Sequence, residues 1–85
     1  MLTMYKYPIE FGEAAVPMHD GANILYVGER DGALCLWACV DTQLPLVSRT
    51  FTTLPTGRDI GDAGIYVGTV EADTLDEVWH IFEQV

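Results

Sequence analysis

The sequence predicts a small, mainly β domain, built as an antiparallel sheet, barrel or sandwich of five to six strands. Apolar runs rich in β-branched and aromatic residues recur along the chain, Gly and Pro residues separate them, and an Asp-Gly pair joins two of them. The 85 residues suit a single domain, 1–85, and 49% of them are hydrophobic, which is enough for a core.

The first predicted strand is residues 3–9, TMYKYPI, because strand alternation places Tyr5, Tyr7 and Ile9 on one side. Residues 11–22 contain Pro17 and an Asp-Gly pair, so we expect an irregular connection there.

The strongest local signal is a hairpin formed by residues 23–30 and 33–40 around Asp31-Gly32, because Asp-Gly between apolar runs is typical of a two-residue turn. Both faces of this hairpin are apolar, and 85 residues are few to cover both, so we expect a homodimer. The predicted cross-strand pairs are Tyr26 with Trp37, Ile24 with Cys39, and Gly28 with Cys35.

The two cysteines, Cys35 and Cys39, are four residues apart in this hairpin. On a strand they are separated by about 13 Å. That separation is too long for a disulfide between them, which needs Cα atoms within about 7 Å, or for a shared zinc ion. We therefore interpret them as small hydrophobic residues of a core strand, and we expect no metal and no cofactor.

Residues 46–54 are rich in Thr and predict another strand, and residues 55–64, with one Pro and three Gly, predict a loop. Residues 65–71 predict a strand with Gly68 at a bulge or a close backbone approach.

Residues 74–84 are ambiguous. Thr74 and Glu77 fit a capping box that would begin a short C-terminal helix, whereas VWHIF is β-branched or aromatic at nearly every position. We favour a strand that returns beside residues 65–70, with the helix as the alternative.

The charge balance limits the possible partners. Thirteen acidic residues oppose four bases, which gives a net charge of −9, so direct binding to nucleic acid or to an anionic membrane is disfavoured. Residues 59–85 contain no Lys or Arg. We expect this acidic third to face a protein with a basic surface. The predicted partner-binding residues are Asp59, Asp62, Glu71, Asp73, Asp76 and Glu77.

The motifs YKYP, ANILYVGERDGALCLWACVD, TG, YVGTV and VWHIFE, taken in this order, resemble a family of short domains of unknown function that bacteriophages and prophages encode. The resemblance covers Tyr5 to Glu83. It implies a compact β-rich domain of phage origin and supplies no catalytic residues. Because the N-terminus also lacks a secretory h-region, we expect a cytoplasmic protein, in the host cell if a phage encodes it.

No catalytic motif of the Gly-x-Ser-x-Gly, His-Glu-x-x-His or Walker type occurs, so we expect no enzyme. His80 is interpreted as a hydrogen-bonded histidine of a half-buried strand and His19 as solvent-exposed. In the 55–64 loop, Thr56, Gly57 and Arg58 together with nearby amides offer a place for the phosphate of a nucleotide, although the aspartates of that loop would repel it.

Three functions follow as hypotheses. The first is a protein-binding inhibitor of a host defence or nucleic-acid-handling protein. The second is a small-ligand protein that binds or sequesters a nucleotide through the 55–64 loop, and the third is a structural phage accessory protein.

Overall fold

The computed structural model describes residues 1–85 and contains seven β-strands. The strands are β1 (Leu2–Ile9), β2 (Glu13–His19), β3 (Asn23–Arg30), β4 (Ala33–Asp41), β5 (Leu46–Pro55), β6 (Ile65–Val70) and β7 (Trp79–Glu83). They form a three-stranded sheet in the order β1-β4-β3 and a four-stranded sheet in the order β2-β5-β7-β6. The predicted antiparallel β class is confirmed, as two sheets rather than a closed barrel. The predicted count of five to six strands is wrong, because the chain forms seven. No helix in the structure is capable of crossing a membrane.

The core lies between the two sheets, because alternate residues on the facing strands point inward. On β4 every second residue from Leu34 to Val40 is buried, and Met18, Phe51 and Ile81 from the four-stranded sheet complete the same hydrophobic cluster. Burial of such side chains contributes about 1.5–3 kcal/mol each, so this shared cluster holds the sheets together.

The expectation of an irregular connection over residues 11–22 is wrong, because Glu13–His19 form β2. Pro17 is tolerated there since β2 is an edge strand, and an edge strand has one side on which its N–H groups bond no neighbour. Val16 and Met18 are buried while Pro17 is exposed, which is the alternation expected of a strand with one face on the core.

The hairpin of β3 and β4 is confirmed, with Asp31 and Gly32 at positive φ (54° and 82°) as its turn. Two of the three predicted pairs are confirmed, Tyr26 with Trp37 and Gly28 with Cys35. The third is wrong: Ile24 pairs with Ala38 instead of Cys39. A β-bulge between Ile24 and Tyr26 shifts the register by one residue, and spacing within the strands does not reveal it.

The C-terminal helix is also not formed. The capping-box residues Thr74 and Glu77 lie in a turn-rich connection, and β7 begins at Trp79 and pairs with both β5 and β6. The predicted irregularity at Gly68 is confirmed by a register shift between Tyr66 and Gly68. A Cβ atom at Gly68 would lie 2.5 Å from Cγ2 of Val27, so glycine allows β6 to approach β3 across the two sheets.

Both cysteines lie on β4, which confirms the strand interpretation of their spacing. Both thiols are free, and burial raises the pKa of the Cys35 thiol. A raised pKa disfavours the thiolate, which is the form that attacks electrophiles and binds metals.

The side of the three-stranded sheet that faces away from the core exposes apolar side chains. Leu2, Met4 and Tyr26 are each at least half exposed, and the ring of Tyr26 lies 5.4 Å from that of Trp37. A second copy of the chain would cover this face in the predicted homodimer, which stays a prediction.

Candidate functional site

The connection between β5 and β6 crosses the outer face of the four-stranded sheet. Both strands pair antiparallel with β7, which lies between them, so β5 and β6 run parallel to each other. Parallel strands cannot be joined by a tight hairpin, because the chain must return to the other end of the sheet. Residues 56–64, here called the crossover loop, make this return.

A cavity of about 360 Å³ lies between the crossover loop and the outward side chains of the sheet beneath it. Its lining residues are Leu54, Pro55, Thr56, Gly57, Arg58, Ile60, Tyr66, His80 and Phe82. We call it the crossover pocket. The three ligand-binding residues predicted from the sequence, Thr56, Gly57 and Arg58, all line it.

A chain of hydrogen-bonded polar side chains connects three residues of the crossover pocket, Tyr66, His80 and Thr56, through Thr69 beside it. The hydroxyl of Tyr66 lies 2.5 Å from Oγ1 of Thr69, which lies 3.0 Å from Nδ1 of His80. Nε2 of His80 lies 2.7 Å from Oγ1 of Thr56. The interpretation of His80 as a hydrogen-bonded strand histidine is therefore confirmed. Because both ring nitrogens are engaged, His80 ties the start of the crossover loop to β6 and β7.

One wall of the crossover pocket is apolar and consists of aromatic and aliphatic side chains. The rings of Tyr66 and Phe82 meet edge to face with centroids 5.7 Å apart, and Ile60 approaches from the crossover loop. Phe82 is almost fully buried, whereas Tyr66 and Ile60 are more than half exposed at the mouth. Such an arrangement suits a planar apolar group inserted beside the aromatic rings.

Arg58 is the cation of the crossover pocket. Among the other bases, Arg49 is bound to Glu83, while Lys6 and Arg30 lie on the three-stranded sheet. The side chain of Arg58 is exposed and makes neither a hydrogen bond nor an ion pair within the chain. Its guanidinium therefore remains available to an anionic group.

The six predicted acidic residues lie on two separate segments. Asp59 and Asp62 belong to the crossover loop but do not line the pocket, and the carboxylate of Asp59 accepts a hydrogen bond from the Gly61 amide (3.0 Å). The other four, Glu71, Asp73, Asp76 and Glu77, surround a shallow depression formed by residues 71–78, here called the acidic segment. All six are exposed, and no group of three or more His, Cys, Asp or Glu side chains is placed to hold a metal ion.

Sequence reasoning missed the sheet side of the pocket. Tyr66, His80 and Phe82 alternate with inward residues on β6 and β7, so strand periodicity places them on one face. Local spacing does not show that the crossover loop passes over that face, because this depends on the pairing of β7 with both neighbours.

A family model described as a domain of unknown function (DUF7352) matches residues 1–85. The resemblance to domains of unknown function is thereby confirmed. No curated protein and no solved structure matches the chain.

Proposed function

The chain belongs to the DUF7352 family of domains of unknown function, and we propose that it binds a small organic ligand in the crossover pocket. The observation that carries this proposal is the convergence of the predicted residues Thr56, Gly57 and Arg58 with an aromatic wall around one cavity. Small-molecule sites combine a mostly apolar lining with a few directed polar groups, and this pocket has both.

The size of the pocket agrees with a small ligand. Its volume of about 360 Å³ is near the lower end of the range of about 300–1,000 Å³ that is typical of ligand sites. The hydrogen-bonded chain from Tyr66 to Thr56 fixes the start of the crossover loop to the sheet, so this side of the pocket is formed before any ligand enters. A preformed site loses less conformational entropy on binding.

The proposal predicts that Leu54→Trp abolishes ligand binding. Leu54 lines the pocket and is half-buried, and an indole at this position occupies the cavity. The measurement is a titration of the chain with a library of small aromatic compounds, followed by its amide chemical shifts. In the wild type, compounds that bind should shift the amides of residues around the pocket. In the variant, the affinity for these compounds should fall at least about tenfold.

Leu46→Trp is the matched control, because Leu46 lies on the same strand and the same outward face but outside the pocket, and it is exposed. We expect its binding to equal that of the wild type. Shifts scattered over the surface, or an equal response of the two tryptophan variants, would refute a specific pocket.

The acidic segment supports a second candidate function, in which it binds the basic surface of a host protein and inhibits that protein. Its four carboxylates are exposed around one depression, and residues 59–85 contain no Lys or Arg to neutralise them. Charges closer than the Debye length of about 8 Å at physiological salt reinforce one another. The resulting field favours rapid association with a basic partner. Under the resemblance to phage-encoded domains, that partner is a defence or nucleic-acid-handling protein of the host.

For this candidate, Asp73→Lys combined with Asp76→Lys should slow association with the protein that the wild-type chain retains from a host lysate. The effect should be about tenfold at low salt and smaller at high salt, because the interaction is electrostatic. Glu10→Lys combined with Asp20→Lys makes the same change in net charge at exposed sites elsewhere. Equal rates for the two double variants would show that only net charge matters and would remove the acidic segment as a specific site.

A further inference from the structure

We infer that the ligand of the crossover pocket is a planar aromatic ring that carries a single anionic group, of the size of a nucleoside monophosphate. This inference rests on the proposed function and specifies the chemical class of its ligand. Three features of the pocket carry it: the free donors at the start of the crossover loop, the aromatic wall, and the small number of positive charges.

The anion-binding part consists of Arg58 and the backbone beside it. A guanidinium presents several N–H donors in a plane that matches a phosphate or carboxylate. The amides of Thr56 and Arg58 already donate to the carbonyls of Val78 and Pro55, whereas the amide of Gly57 has no acceptor within the chain. A Cβ atom at Gly57 would meet nothing within 4 Å, so a ligand can approach this backbone closely. Arg58 and the Gly57 amide therefore offer neighbouring donors to one anionic group.

The ring-binding part consists of Tyr66, Phe82 and Ile60. Tyr66 and Ile60 expose more than half of their surface at the mouth of the pocket, where water is their present neighbour. An aromatic ring that covers these groups gains both apolar burial and aromatic contact.

The charge of the chain sets the upper limit on the charge of the ligand. Arg58 is one cation in a chain of net charge −9, and Asp59 and Asp62 lie in the same loop. A triphosphate or an oligonucleotide brings further negative charges that meet no second base near the pocket. The volume of about 360 Å³ also fits one nucleotide rather than a cyclic oligonucleotide. These limits favour a monomeric ligand with one anionic group.

The test is titration calorimetry of the wild-type chain with adenosine monophosphate, uridine monophosphate, indole-3-carboxylate, adenosine and adenosine triphosphate. At least one of the three singly substituted anions should bind about tenfold more tightly than adenosine, because a hydrogen bond to a charged group is stronger than one to a neutral group. The triphosphate should bind more weakly than the monophosphate. Arg58→Gln should lower the affinity for the anion to that for adenosine.

Arg30→Gln is the control, since it removes one exposed positive charge at the end of β3, far from the crossover loop in sequence and on the other sheet. It should leave the affinity unchanged. Equal losses in the two arginine variants, or equal affinities for adenosine and the anions, would overturn the inference. If neutral aromatic compounds still perturb the pocket and Leu54→Trp still blocks them, the proposed function stands while the anionic class fails.

Discussion

Replacing Gly64 with alanine is expected to lower the free energy of unfolding by about 3 kcal/mol or more and to remove the crossover pocket. Gly64 has a φ of +113°, in a region that L-residues with a side chain avoid. A Cβ atom there would lie 2.7 Å from the carbonyl carbon of Glu83 and closer still to its oxygen. Because these are backbone atoms of β7, no side-chain rotation relieves the contact. The chain must therefore move at Ile65, where β6 begins to pair with β7.

Gly57→Ala separates this contact from ordinary backbone strain. Gly57 also has a positive φ, +95°, and lies in the same loop, but a Cβ atom there meets nothing within 4 Å. Alanine at this position is expected to cost only about 1–2 kcal/mol. Urea denaturation of both variants measures the difference, and amide chemical shifts around Tyr66 and His80 report whether the pocket persists. Similar losses in the two variants would show that the approach to Glu83 does not constrain the loop.

The parts of the fold that the sequence predicted are those determined by neighbouring residues. The Asp31-Gly32 turn predicts the hairpin of β3 and β4, and the β-branched and aromatic residues of the 65–71 segment predict β6. β2 was missed because Pro17 and the Asp-Gly pair after it dominate the local signal, while the tolerance for proline depends on β2 lying at a sheet edge. The position of a strand within a sheet is a long-range property.

The candidate site divides in the same way. Thr56, Gly57 and Arg58 were predicted because a Gly-rich loop with a base is a recognisable local pattern. Tyr66, His80 and Phe82 reach the pocket only because β7 lies between β5 and β6 and forces the crossover loop over their side chains. In the sequence, Arg49 is one of four bases with no assigned role. Its ion pair with Glu83 depends on the pairing of β5 with β7, which the local sequence does not show.

Replacing Arg49 with methionine is expected to lower the free energy of unfolding by about 3 kcal/mol. Its Nε and Nη2 donate to the two carboxylate oxygens of Glu83 (2.6 and 2.8 Å), and its Nη1 donates to the carbonyl of Ala22 (2.6 Å). The side chains of Arg49 and Glu83 are 21% and 23% exposed, so removing one partner leaves a charge largely shielded from water. Urea denaturation measures the loss, and Arg30→Met, at an exposed position, should change stability by less than about 0.5 kcal/mol.

The double variant Arg49→Met, Glu83→Leu distinguishes an uncompensated charge from lost packing. Replacing both partners with apolar residues removes the desolvated carboxylate, so most of the stability should return. A residual loss of about 1 kcal/mol should remain, because the carbonyl of Ala22 has lost its donor.

The hydrogen bond to Glu83 raises the pKa of Arg49. A raised pKa means that this stabilisation is present at every pH below the ordinary value for arginine and is lost only as the pH rises beyond it. The gap between the wild type and Arg49→Met should therefore stay constant from about pH 7 to about pH 10. Additive losses in the double variant would mean that Arg49 stabilises the two sheets through its aliphatic stem rather than through its charge. A gap that closes over this interval would contradict the pH dependence expected from the pairing of Arg49 with Glu83.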